Sequence, residues 1–188
     1  MARILLGVSA GISSYKSADL ASKLTQRGDE VRTILTPHAL KFVTPLTFQA
    51  VTRQPVYVDS FEDDPSYRPE HISLSEWPDV VVVAPATADF IGRVAAGLGD
   101  NLLALTVLAC AKPVLFAPAM NDRMWANPIV ADNVKRLRSV GYRVLDPAEG
   151  HLACGSYGPG RLPETEEIIA AIGESLAKLS SPGKTRPA

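Results

Sequence analysis

The clearest hydrophobic run in the chain is Asp79-Val-Val-Val-Val-Ala84. Four β-branched residues in succession, without polar alternation, suit a strand buried on both faces, as in a parallel sheet covered by helices. Shorter runs of the same character occupy residues 3–8, 30–35, 56–58, 113–117 and 143–145. Between them the period changes. In residues 13–27 the apolar positions Leu20, Ala21 and Leu24 fall on one side of a helix, and Gly28 stops it. Residues 44–51, 88–96, 101–111, 128–140 and 164–179 read as further helices, with Gly141 ending the one before it. Alternating strands and helices predict an α/β fold: a three-layer, doubly wound parallel sheet. Residues 1–180 form a single domain and residues 181–188 a flexible tail. Two segments, 60–77 and 147–163, carry neither period, and irregular stretches of that length are commonly functional.

Composition narrows the classes. With 188 residues, 46% hydrophobic and 21% charged, the chain has the make-up of one soluble globular domain. A formal net charge of −1 lacks the basic footprint of a nucleic-acid surface. No apolar run is long enough to cross a bilayer, and the start, Met-Ala-Arg-Ile-Leu-Leu, reads as a first strand rather than a signal peptide. A cytoplasmic protein is expected. The two cysteines, Cys110 and Cys154, have no metal-ligand spacing and suggest no disulfide framework. Cys110, in Leu-Ala-Cys-Ala-Lys, reads as a small buried residue.

Candidate chemistry collects where strands end. After the first strand comes Gly7-Val-Ser-Ala-Gly-Ile-Ser-Ser14, whose small residues let backbone amides approach a ligand at a helix N-terminus. Its spacing is not the G-x-G-x-x-G of dinucleotide sites. Thr36 ends the second strand, and Thr87, in Ala84-Pro-Ala-Thr-Ala-Asp-Phe90, is placed to cap the following helix. Three strand ends with small or hydroxylated residues fit a mononucleotide. After the strand at 113–117 comes Pro118-Ala-Met-Asn-Asp-Arg-Met-Trp125, which sets the amide of Asn121 between Met120 and Met124 beside an indole. A carboxamide binds a carboxylate or carbonyl without bringing charge, and the thioethers shape an apolar pocket around it. His71, in a loop before the four-valine strand, is a near-neutral base suited to proton abstraction. Gly150-His-Leu-Ala-Cys-Gly-Ser-Tyr-Gly-Pro-Gly-Arg-Leu162 has the glycine content of a flexible loop able to close over a substrate. Cys154 within it would be exposed enough to exchange a proton, whereas His151 and Tyr157 receive no role.

These motifs, taken together and in this order, resemble the homo-oligomeric flavin-containing cysteine decarboxylases. Residues 118–125 look like that family's P-x-M-N-x-x-M-W signature, and Ala84-Pro-Ala-Thr-Ala-Asp89 is similar to its P-A-S/T-A-N/D motif. His71 stands where the family has its active-site histidine, and Ala153-Cys-Gly-Ser-Tyr-Gly-Pro-Gly160 resembles its substrate-recognition clamp. The likeness runs from the first strand to about residue 175. It implies a flavodoxin/Rossmann-like flavoprotein that binds FMN. Implied flavin contacts are Ser9, Ala10, Gly11, Ile12, Thr36, Thr87, Ala88, Asp89, Phe90 and Ala119. In the chemistry it implies, a cysteine moiety is oxidised to a thioaldehyde, carbon dioxide leaves, and an ene-thiolate remains.

Within the family two branches stay open. In the coenzyme A branch, 4′-phosphopantothenoylcysteine becomes 4′-phosphopantetheine: hydride returns and an active-site cysteine supplies a proton. Cys154 would be that acid, His71 would serve the oxidative half, and Asn121, flanked by Met120 and Met124, would hold the substrate carboxylate. The other branch comprises stand-alone peptidyl-cysteine decarboxylases, which stop at the enethiol on a peptide. Cys154 favours the first branch. The 188-residue length, without the ligase half that usually follows in bacteria, favours the second. One departure from the coenzyme A pattern is Ser156, where an acidic residue is usual. The resemblance also implies a trimer, or a dodecamer built from trimers, with the flavin near a subunit interface. A flavin prenyltransferase would lack residues 118–125 and the clamp. A flavodoxin-like electron carrier would leave Asn121, His71 and Cys154 without a task.

Overall fold

A computed structural model describes residues 1–58 and 70–180. The elements follow in the order β1 (Arg3–Val8), α1 (Ser14–Gln26), β2 (Glu30–Leu35), α2 (Pro45–Thr52), β3 (Val56–Tyr57) and α3 (Glu70–Glu76). Then come β4 (Val80–Ala86), α4 (Ala88–Ala96), α5 (Leu102–Ala109), β5 (Val114–Pro118), α6 (Asp122–Trp125) and α7 (Pro128–Ser139). The chain closes with β6 (Arg143–Val144), β7 (Ala148–His151), β8 (Tyr157–Arg161) and α8 (Thr165–Ser180).

The first six strands make one sheet in the order β3-β2-β1-β4-β5-β6, and every neighbouring pair is parallel. The four-valine strand lies near the centre, and all seven of its residues are buried. Its side chains alternate between two cores. Val81 and Val83 join Leu5, Val114 and Phe116 on one face, under helices that include α4 and α5. Val80, Val82 and Ala84 join Ile4, Leu6 and Leu115 on the other, against α1 and α8. The absence of alternation in the sequence is therefore the mark of two apolar faces. Among the described residues no helix is long and apolar enough to cross a membrane.

Three local expectations need correction. Of the irregular segment expected at 60–77, residues 60–69 lie outside the described part, but 70–76 form helix α3, so His71 is not in a loop. Serines at 73 and 75 hide the helix from a reading by period. What stabilises it is the burial of Leu74, with Ser75 bonded back to the carbonyl of Ile72 at 2.8 Å. The second irregular segment is largely an antiparallel hairpin, β7 with β8, rather than a loop. It lacks β-branched residues altogether, and its pairing compensates for low strand propensity. Residues 122–125 form one helical turn within what reads as a loop. The expected tail at 181–188 lies outside the described residues.

Phe116 is fully buried in the first core, 6.3 Å from the Phe90 ring and 5.6 Å edge-on from Tyr142. Truncation leaves a void that a sheet interior cannot collapse into. Phe116→Ala is expected to cost about 3–5 kcal/mol in denaturant unfolding, with the midpoint falling at unchanged slope.

Candidate active site

The strand order reverses between β1 and β4, and ligands of open α/β sheets sit outside the carboxyl ends of such a pair. Three successive carbonyls of β4 build the floor there. The Ser17 hydroxyl, on α1, donates to the Ala84 carbonyl at 2.6 Å. The Ser9 hydroxyl donates to Pro85 at 2.8 Å, and the Ser9 amide reaches the same oxygen at 3.3 Å. The Ala119 amide donates to Ala86 at 3.1 Å. Ser9 also accepts the Thr87 amide at 3.0 Å, while Thr87 Oγ1 accepts from the Phe90 amide at 3.3 Å and so caps α4. The N-termini of α1 and α4 thus open on the same space, where unpaired amides favour an anion.

The opposite wall joins residues 118–122 to the hairpin. The Met120 amide donates to the Gly160 carbonyl at 2.9 Å. Gly160 is obligatory here, because its φ is +153° and an added Cβ would lie 2.3 Å from the Met120 carbonyl oxygen. Docking the hairpin this closely delivers its tip to Asn121. Leu152 and Ser156 close the tip through a 2.8 Å backbone bond, and Gly155 turns it at φ +88°.

Asn121 is the N-cap of α6, and its Oδ1 accepts the Arg123 amide at 2.9 Å. That bond decides which way the carboxamide faces. Its Nδ2 donor points to the cavity and reaches Cys154 Sγ at 3.1 Å. Behind the sulfur, Ser156 Oγ lies 3.2 Å from Sγ and donates to Asp122 Oδ1 at 2.9 Å. The Cys154 thiol is held below its ordinary value, first by the Ser156 side chain, then by the Ser156 backbone and the Asn121 amide. Such a group is a better proton donor than a free cysteine.

Between the walls lies a cavity of about 870 Å³. Each of Ser9, Ala10, Gly11, Ile12, Thr36, Thr87, Ala88, Asp89, Phe90 and Ala119 lines it, as do Met120, Asn121, Met124 and Cys154. His71 does not: it occupies the first turn of α3, away from the cavity walls of its own chain. The reading of the sequence passed over Lys16, His38, Arg93, Asn101, His151 and Arg161, which also line the cavity. Two of these carried a signal. Lys16 falls two residues after the small-residue turn, and His38 two after Thr36. Arg93 pairs with Asp89 at 2.8 Å and with Asp100, the two carboxylates together holding its guanidinium firmly protonated. His151, read as incidental, packs edge-on to Tyr157 at 5.1 Å across the last rung of the hairpin. The Thr36 hydroxyl is buried at the cavity and has no hydrogen-bond partner among the described residues, so it is left for a ligand to satisfy.

Known proteins resemble this chain over nearly its whole length. The flavoprotein family model matches residues 1–177. The coenzyme A biosynthesis bifunctional protein CoaBC of Bacillus subtilis is 45% identical over 178 residues, covering 95% of this chain and 44% of that protein. The chain thus spans less than half the length of that curated relative. Among solved structures, a PPC decarboxylase variant complexed with pantothenoylaminoethenethiol superposes with a TM-score of 0.82 at 31% identity, covering 96% of this chain and 99% of the other. The FMN-dependent cysteine decarboxylase SpaF superposes with a TM-score of 0.83 at 34% identity, covering 96% and 98%.

The contact at Gly160 is expected to govern the whole second wall. Gly160→Ala forces the hairpin off Met120, at a cost of about 1–3 kcal/mol. The melting temperature should fall, and the Cys154 thiol should drift back toward the behaviour of a free cysteine when its reactivity is followed against pH.

Proposed function

The chain belongs to the flavoprotein family, and we propose that it is an FMN-dependent decarboxylase of substrates ending in cysteine, with 4′-phosphopantothenoylcysteine as its substrate. The observation that carries the proposal is the 3.1 Å contact between the Asn121 donor and the Cys154 sulfur, at the edge of a cavity lined by the small-residue turns. A neutral donor for a carboxylate and an acid for a carbanion-like carbon stand within one substrate's reach. The coenzyme A relatives and the PPC decarboxylase likeness support the same reading.

The residues present fit FMN. Ser9, Ala10 and Gly11 leave room for backbone amides to meet a phosphate between the α1 and α4 N-termini, and the orphaned Thr36 hydroxyl awaits a polar partner. When bound, FMN supplies an acceptor for hydride and later returns it. The chain's own residues do the rest. A base takes the proton of the substrate thiol as hydride leaves the adjacent carbon, giving a thioaldehyde. Asn121 holds the carboxylate through Nδ2 and adds no positive charge to oppose its loss as carbon dioxide. The electron pair of the broken carbon–carbon bond then becomes the enethiolate. Cys154 gives its thiol proton to carbon in the reductive half.

His71 fills the role of the base only if it enters the cavity of another copy of the chain, because it is not among the residues that line this cavity in its own. We therefore place the complete site between subunits of a homo-oligomer, a trimer or a dodecamer of trimers. Ile72, beside His71, leaves 42% of its surface exposed, as a residue awaiting a subunit contact would. A second reading, decarboxylation of a peptide's C-terminal cysteine, has its support in the likeness to SpaF. Mass spectrometry separates them. With phosphopantothenoylcysteine the product should be lighter by carbon dioxide alone; a peptide product lighter by a further two hydrogens, with the phosphopantothenoyl compound untouched, would favour the second reading.

His71→Asn is expected to abolish carbon dioxide release while the yellow flavin stays bound. Cys154→Ser should still release carbon dioxide but accumulate the unsaturated product. Mixing His71→Asn chains with Asn121→Ala chains and reassembling them should restore part of the activity, since some sites then draw both intact groups from different subunits. Failure of well-assembled mixtures to regain any turnover would remove the shared site.

A further inference from the structure

Asp122 and Ser156 lie outside the groups assigned above, yet both are tied to Cys154. The connection runs Asn121 Nδ2 to Cys154 Sγ, Sγ to Ser156 Oγ, and Ser156 Oγ to Asp122 Oδ1, at 3.1, 3.2 and 2.9 Å. A serine hydroxyl has a single proton. It cannot serve Asp122 and the sulfur at once, so the two acceptors compete for it. We infer that Asp122 and Ser156 are a positioning pair that sets the protonation of Cys154: Asp122 holds the Ser156 proton while the sulfur is a thiol, and Ser156 turns it to the sulfur once the thiol proton has gone.

The inference rests on the reading of Cys154 as the acid of the reductive half. In that step the S–H bond breaks, its proton joins the carbon that has lost the carboxylate, and the electron pair stays on the Cys154 sulfur; the hydride for the neighbouring, sulfur-bearing carbon is what bound FMN would supply. With the thiol intact, the Ser156 oxygen is free to accept from S–H because its own proton is engaged by the carboxylate. With the thiolate formed, the stronger claim on that proton comes from the sulfur, and a rotation about one bond supplies it. Asn121 donates to the sulfur in either state unless a substrate carboxylate claims it. Water then reprotonates Cys154, which is exposed.

The architecture holds these groups in register. Asp122 is the first residue of α6 and Ser156 the last of the hairpin tip, two segments joined by the Met120–Gly160 bond. A Cβ at Gly158 would come 3.3 Å from Asp122 Cβ, so the bare backbone of β8 packs directly on the carboxylate's stem. The other ionisable groups on these elements are Arg123 of α6 with Glu149, His151, Tyr157 and Arg161 of the hairpin. Among the described residues, the sulfur's hydrogen bonds to other side chains are those with Asn121 and Ser156.

The test is labelling of Cys154 by iodoacetamide against pH in the FMN-loaded protein, with the buried Cys110 followed separately by peptide mass. Asp122→Asn removes the charge and weakens the competing acceptor, so the pH of half-maximal labelling should fall by about one unit, a tenfold change in thiolate fraction. Ser156→Ala removes the donor and should raise it by about as much, and Ser156→Thr should restore the starting value. A purely structural role predicts no opposed shifts. Equal profiles, or shifts in the same direction in folded variants, overturn the inference. With phosphopantothenoylcysteine both variants should release carbon dioxide and yield a larger share of product two hydrogens lighter. Absence of carbon dioxide release from the unaltered protein would instead overturn the proposed function, and the labelling profiles would still decide the pair.

Discussion

Three adjacent carbonyls at the end of β4, those of Ala84, Pro85 and Ala86, hold together segments that are far apart in sequence. One anchors α1 through Ser17, one the turn after β1 through Ser9, and one the stretch after β5 through Ala119. They can do so because the strand that carries them is buried along its whole length and pinned between β1 and β5. A buried carbonyl must find a donor, and here the donors come from the segments that will form the walls of the cavity. The core therefore positions the site through backbone bonds, and side chains with chemical roles are suspended from that frame.

The second wall follows a different logic. The hairpin β7–β8 has no apolar face to bury, and what fixes it is the approach of glycine backbone to residues 118–122. Such a contact is steric and all-or-none: backbone meets backbone only where no Cβ intervenes. Asn121 and Cys154 are 33 residues apart in sequence, yet their separation is set by that approach and by the N-cap bond that orients the carboxamide. Rigidity of this kind is what the proposed reaction, with its two successive proton movements, would require.

Much of the frame was legible from period alone. The four valines announced a strand with two buried faces, and the small and hydroxylated residues after strands one, two and four converge on one cavity as their placement suggested. Pro118-Ala-Met-Asn marked the opposite wall. What escaped the reading has a common cause. Helix α3 contains two serines and shows no apolar stripe, and the hairpin strands Ala-Glu-Gly-His and Tyr-Gly-Pro-Gly-Arg have neither alternation nor β-branching. Both depend on tertiary contact rather than local preference. The link from Asp122 to Ser156 lies deeper still, because a bond across 34 residues leaves no trace in a linear pattern. Nor does a single chain bring His71 to this cavity, which is why the role proposed for it passes to an assembly.

The N-cap bond of Asn121 makes its carboxamide a one-sided group. The oxygen is spent on the Arg123 amide, so the cavity meets only the donor. In the proposed reaction this gives the grip a lifetime matched to the chemistry. A carboxylate attracts that donor strongly, but carbon dioxide carries no charge and is a poor acceptor. Loss of the carboxylate thus erases the feature by which it was held, and the amide has the Cys154 sulfur to return to. Such a clasp lets go of what it has transformed, without needing a second conformation to open it.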